Sequence, residues 1–183
     1  MKRWHGGPVY REKPLPQGEL RGQFLIAEPV LAATRAALVS FALAGIEDGG
    51  HEGILYWCGR EMGDCTVFLE AIVPVADHGP GRVMVSREEI GRTQRAAHAV
   101  KLGVLCQVHS HPGMDTRHSD GDDDLILMPF EGMLSIVAPR YGIALQAMSD
   151  VSVHQYQGGQ WVLCCEESVQ RGLVLVPTLQ DLR

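Results

Sequence analysis

Residues 104–122, VLCQVHSHPGMDTRHSDGD, decide how the chain is to be read. Val104 to Val108 is a short apolar, β-branched run of the kind that forms a buried strand. It delivers two imidazoles, His109 and His111, at its end, where Pro112-Gly113 breaks the chain. Side chains one residue apart on an extended segment point to roughly the same side, so both imidazoles can reach one ion. Ser119 then caps a helix with acidic residues in its first turn, and Asp122 arrives from that turn as a third ligand. Three ligands leave one coordination position open, which separates a catalytic zinc from a closed structural site.

Upstream of this stretch, Ser86 followed by Glu89 is a capping box, and Ile90, Ala97, Val100 and Leu102 carry a helical face over 87–102 to a stop at Gly103. Gly53 to Gly59 and Thr66 to Val75 are predicted as two strands joined by a turn at Gly63-Asp64. Gly22 to Ala27 is a further short strand. Pro29 then sits in the first turn of an Ala/Leu/Val helix that stops near Gly45, and Glu47 to His51 is a loop. Downstream, Met133–Ala138, Ile143–Met148, Val151–Tyr156 and Trp161–Cys164 are expected as closing strands. So many consecutive strands exclude a doubly wound sheet and point to a mixed α/β, or α+β, single domain. The predicted organisation is an irregular arm over 1–21, rich in Gly, Pro and charge, a domain over 22–166 and a tail over 167–183.

With 45% apolar and 21% charged residues, the 183-residue chain is long enough to bury one core without disulfides or a structural metal. Its net charge of -6 disfavours the basic footprint that nucleic acid selects. The longest apolar candidate, Phe24 to Ala44, is interrupted by Glu28, Pro29 and Arg35, so no membrane helix is expected. Five cysteines without a CxxC pair, and no export signal at the N-terminus, point to a reducing cytoplasm.

His-x-His, seven residues, Ser, two residues, Asp is the motif of the JAMM family, also called MPN-plus or Mov34-type metallopeptidases. The sequence resembles the prokaryotic branch of that family from about Glu47 to Tyr156, with Gly113 and SIVAP over 135–139 adding to the likeness. The resemblance implies an MPN-type domain, a mixed curved β-sheet flanked by helices in a cytidine-deaminase-like architecture. It implies one Zn2+ per chain on His109, His111 and Asp122. Glu52, which opens the strand GILYWCGR, stands where the family has a glutamate that removes the proton of the zinc-held water. Ser119 stands where the family has an oxyanion donor, and the same residue can cap the helix that aims Asp122. The implied substrate is the bond after the C-terminal glycine of a ubiquitin-like or sulfur-carrier protein.

Other readings are weaker. A catalytically silent MPN-type scaffold that binds a partner protein would not need a full ligand set, and a role in DNA repair is disfavoured by the acidic charge. A zinc hydrolase with another substrate stays as an alternative. Asp120, Asp123 and Asp124 read as ordinary acidic residues at a helix N-terminus. His51 and His118 read as solvent-facing loop histidines, and His5, His78, His98 and His154 carry no assignment. Cys58 and Cys106 belong to the core rather than to a nucleophile.

Overall fold

The computed structural model describes residues 14–119, 121, 122 and 129–177. Five of its strands and its first helix come from the stretches where apolar periodicity is clearest. They are β2 (Gln23–Ala27), α1 (Glu28–Ala44), β3 (Ile54–Met62), β4 (Cys65–Ile72), β7 (Gly103–Ser110) and β8 (Leu134–Ala138). Around them lie β1 (Gln17–Gly18), β5 (Asp77–Gly79), β6 (Arg82–Met84), α2 (Arg87–Ala99), β9 (Ser152–Gln157), β10 (Gln160–Cys164), α3 (Glu166–Gly172) and β11 (Leu173–Val176). Nine strands form one mixed sheet in the order β1-β10-β9-β8-β7-β3-β4-β2-β11, and β5 and β6 make a separate hairpin. This is the expected α+β architecture of a mixed sheet flanked by helices. No helix among the described residues is long and apolar enough to cross a membrane.

α1 packs across the sheet on Leu31 and Leu38, against Leu55, Trp57, Phe68, Val108 and Ile136. The indole N–H of Trp57 is buried there, and it donates to Thr34 Oγ1 at 2.7 Å. An unpaired donor at that depth would cost about 1–3 kcal/mol, so a threonine on α1 ties helix and sheet in one register. β3 shifts register between Cys58 and Gly59 against β4. A Cβ on Gly59 would lie 2.0 Å from the Val67 carbonyl oxygen, so this close approach of two backbones admits only glycine.

The 87–102 helix ends earlier than the Gly103 stop suggests. Leu102 N–H donates to the Ala97 carbonyl and Lys101 N–H to the His98 carbonyl, both at 2.9 Å. That pair of bonds is a Schellman cap with Lys101, at φ 62°, in the left-handed position usually taken by glycine. Ile143–Met148 is not a strand. Tyr141 and Gly142 at φ 58° and 72° turn the chain. The amides of Gln146 and Ala147 then donate to the Asp150 carboxylate at 2.8 and 2.9 Å, so a side chain takes the place of a neighbouring strand.

Both ends of the described chain enter the sheet, beyond the domain limits drawn from composition. Gln17 and Gly18 pair in parallel with Leu163 and Cys164, and Leu20 N–H donates to Ser168 Oγ at 2.9 Å. Leu173 to Val176 pair in parallel with Phe24 to Ala27. Four apolar residues closed by Pro177 are too short a signal to tell a strand from a tail. Residues 1–13, 120, 123–128 and 178–183, which include most of the helix expected after Ser119, lie outside the described residues.

Candidate metal centre

The centre forms at the C-terminal end of β7. His109 pairs with Ile54 on one side and Val137 on the other, so its backbone is locked in the middle of the sheet. One residue on, Ser110 N–H donates to the Gly53 carbonyl and Ser110 Oγ accepts from Gly53 N–H, at 3.0 and 2.9 Å. These two bonds hold Glu52 beside the strand end. His111 N–H donates to the Ala138 carbonyl at 2.8 Å, which keeps the chain extended until Pro112.

His109 Nε2 lies 3.2 Å from Asp122 Oδ1, and His111 Nε2 lies 3.3 Å from Asp122 Oδ2. The two imidazole nitrogens are themselves 3.3 Å apart. His109, His111 and Asp122 are the group of potential ligands that converge to within 4.8 Å among the described residues. Gly121 and Asp122 are helical, and Ser119 caps them. Its Oγ accepts from Asp122 N–H at 3.3 Å, while its N–H and Oγ–H donate to Asp122 Oδ2 at 2.6 and 2.9 Å. The spacing Ser-x-x-Asp therefore aims the carboxylate.

Electrostatics prepare Asp122 and His109 as donors, whereas burial of His111 is outweighed by Asp122, the Asp115 carbonyl and Glu52, which raise its imidazole above the ordinary range. Burial pushes the Asp122 carboxyl up, but the charges and hydrogen bonds of His109 and His111 outweigh it and hold it well below the usual carboxylate range. Burial keeps His109 below the ordinary imidazole range, despite the attraction of Asp122. A neutral imidazole and an ionised carboxylate are the forms that bind a divalent cation. The site thus fits a metal of the zinc kind by its donor set, two nitrogens and a carboxylate.

Glu52, 8% exposed, lines the same cavity of about 380 Å³ together with His111, Ser119 and Asp122. Burial pushes its carboxyl up to about 8, with Asp122 adding to the rise and His111 opposing it. In the metal-free protein the folded state therefore holds a proton that the unfolded chain releases near its ordinary value. Stability from this group is full at low pH and falls as pH rises from about 4.5 to about 8. Metal-free Glu52→Gln is accordingly expected to gain in Tm over the parent as pH goes from 5 to 9. A gap that does not widen would show Glu52 to be solvated.

Two parts of the site have little sequence signal. One wall of the cavity is the β5–β6 hairpin, through Gly81, Arg82, Val83 and Met84. Only the turn dipeptide Pro80-Gly81 hints at it. The hairpin is tied to the centre by Glu52 N–H donating to the Gly79 carbonyl and by Tyr141 Oη donating to the Pro80 carbonyl, both at 2.9 Å. The other part is His118, which is not a solvent-facing loop histidine: it is fully buried, as is His154. Its ring stacks on His154 with centroids 3.9 Å apart. His51 is mostly covered too, its Nδ1 lying 2.8 Å from His78 Nδ1.

The donor set brought together here, His109, His111 and Asp122 with Ser119 beside it, is the motif read from residues 109–122. In sequence, the chain is 34% identical over 103 residues to the probable metalloprotease y4jG of Sinorhizobium fredii, a match covering 54% of this chain and 63% of that protein. The chain thus matches less than two thirds of the length of this curated relative. No family model matches. The solution structure of protein DSY2949 from Desulfitobacterium hafniense shares the fold at TM-score 0.62 and 14% identity, covering 86% of this chain and 96% of that one. The crystal structure of AF2198, a JAB1/MPN domain protein from Archaeoglobus fulgidus, aligns at TM-score 0.45 and 16% identity over 84% of this chain and 97% of that one.

Proposed function

We propose that the chain is a metal-dependent peptidase, and within that class a zinc isopeptidase or peptidase that hydrolyses the bond after the C-terminal glycine of a ubiquitin-like or sulfur-carrier protein. The observation that carries this reading is the convergence of His109 Nε2, His111 Nε2 and the Asp122 carboxylate beside a buried glutamate in an open cavity. The likeness to a probable metalloprotease supports it. A bound zinc ion supplies Lewis acidity, which makes water a competent nucleophile near neutral pH.

His109 and His111 would hold the ion through Nε2, and Asp122 through its carboxylate. Glu52 takes a proton from the attacking water at its carboxylate and returns it to the leaving nitrogen. A carboxyl pushed towards neutrality is suited to both transfers. Ser119 Oγ–H is the donor for the developing oxyanion, and it must leave Asp122 Oδ2 to act there. Ser119→Ala is therefore expected to lower kcat by about 10 to 1000-fold with little loss of zinc. A thermal melt separates this from capping alone, which costs about 1 kcal/mol.

The cavity suits a tail without side chains. Gly81 and Gly121 keep its lining low, and Val83, Met84 and Pro112 give it apolar surface. β6 pairs only with β5 among the described residues, which leaves a strand edge for an extended peptide. The test is mass spectrometry of products from a ubiquitin-like fusion. Cleavage should fall after the terminal glycine, and a bulky residue in its place should remove most activity. Indiscriminate cleavage of unfolded casein, with no preference for such a tail, overturns the isopeptidase reading and leaves a zinc hydrolase. A chelator should abolish activity while circular dichroism shows the fold intact, because a core of this size does not depend on the ion.

A further inference from the structure

The two histidines of the centre are oriented by different means. His111 Nδ1 faces the Asp115 carbonyl oxygen at 2.8 Å, the usual hydrogen bond that fixes a ligand ring. His109 directs Nε2 at Asp122 and His111, and its Nδ1 is buried with no hydrogen-bond partner among the described residues. A ring free of hydrogen bonds on its far side can rotate about its side-chain bonds unless packing stops it. A neighbouring ring is that of His118, whose centroid lies 6.1 Å from that of His109 with the two planes tilted by 42°.

His118 is itself held from three directions. Its Nε2 is 2.9 Å from Ser135 Oγ on β8, its ring stacks on His154 of β9 at 3.9 Å, and the edge contact to Trp161 of β10 spans 5.3 Å. All three rings are buried, His118 and His154 completely. Burying two imidazoles in contact is costly in a core that apolar rings could fill.

We propose that His118, locked by Ser135 and stacked on His154, is the positioning residue for His109, fixing by ring packing the orientation that a hydrogen bond fixes for His111. The next residue along the chain is Ser119, which aims Asp122. One locked imidazole thereby sets two of the three ligands, and through β8 and β9 it ties the centre to the sheet. The inference rests on the metal-centre reading above and adds a residue to it.

The test measures zinc affinity by competition with a chromophoric chelator, well below each variant's Tm, together with the ligand-field spectrum of the Co2+-loaded protein. His118→Ala should weaken zinc binding by about 10 to 100-fold, the range in which outer partners of metal ligands act, and should alter the Co2+ spectrum. His118→Phe, which keeps a ring against His154, should restore most of that affinity. Ser135→Ala leaves every ring in place and should shift affinity in the same direction, so it decides the matter if His118→Ala does not fold. Exposed His98→Ala serves as the control and should match the parent.

Unchanged zinc affinity and an unchanged Co2+ spectrum in Ser135→Ala, or His118→Phe as weak as His118→Ala, overturn the inference and leave the centre standing. A parent protein that takes no zinc overturns the centre and this inference with it.

Discussion

Glu52→Gln is expected to leave zinc content at the parent level and to lower turnover by about 100 to 10,000-fold, the span that general acid–base catalysis contributes. The amide keeps the shape of the carboxyl and its place beside the Gly79 and Ser110 contacts of the neighbouring backbone, but it cannot take a proton from water. Glu52 is outside the converging ligand group, so metal loss is not expected from its neutralisation. Zinc analysis and a single-turnover assay on the same preparation check both halves. A variant that loses its zinc would show Glu52 to be a ligand, and one that keeps its turnover would show the proton to move elsewhere.

Asp122→Ala should have the second large effect, on binding rather than on proton transfer. Both carboxylate oxygens are used: Oδ1 faces His109 and Oδ2 faces His111 and Ser119. Removing them leaves two imidazole nitrogens 3.3 Å apart and takes the only carboxylate out of the converging ligand group among the described residues. Zinc affinity should fall by more than the roughly 10 to 100-fold that changes outside the ligand shell cost. His109→Ala should do the same. The metal-free Asp122→Ala chain should also be less stable than the parent at neutral pH. The depressed carboxyl contributes stability that is present above its unfolded value near 3.8 and is lost as pH falls below it. Equilibrium dialysis against zinc and melts at pH 7 and pH 3 check the two expectations, and unchanged zinc affinity in either variant would remove these residues from the centre.

What the sequence by itself determined is local in origin. His109, His111, Ser119 and Asp122 fall within a span of 14 residues, and their register follows from strand alternation and a helix cap. α1 and β3 were legible because Pro29, Gly45 and an uninterrupted apolar run mark their limits. The donor set and the mixed α+β order needed no knowledge of which strands pair.

Only the tertiary structure decided what depends on contacts between distant segments. It brought Glu52 to the centre through the pairing of β3 with β7, and it set the β5–β6 hairpin as a wall of the cavity. It turned residues 143–148 away from the sheet, where Ile143 and Leu145 donate to the Arg140 and Gly142 carbonyls and Gln146 and Ala147 to the Asp150 carboxylate. It drew 17–18 and 173–176 in as outer strands, where short segments are stabilised by neighbours rather than by their own pattern. It also buried His118. A histidine in a polar loop carries no sign of its burial, because that burial comes from Ser135, His154 and Trp161, 17 residues away and more along the chain.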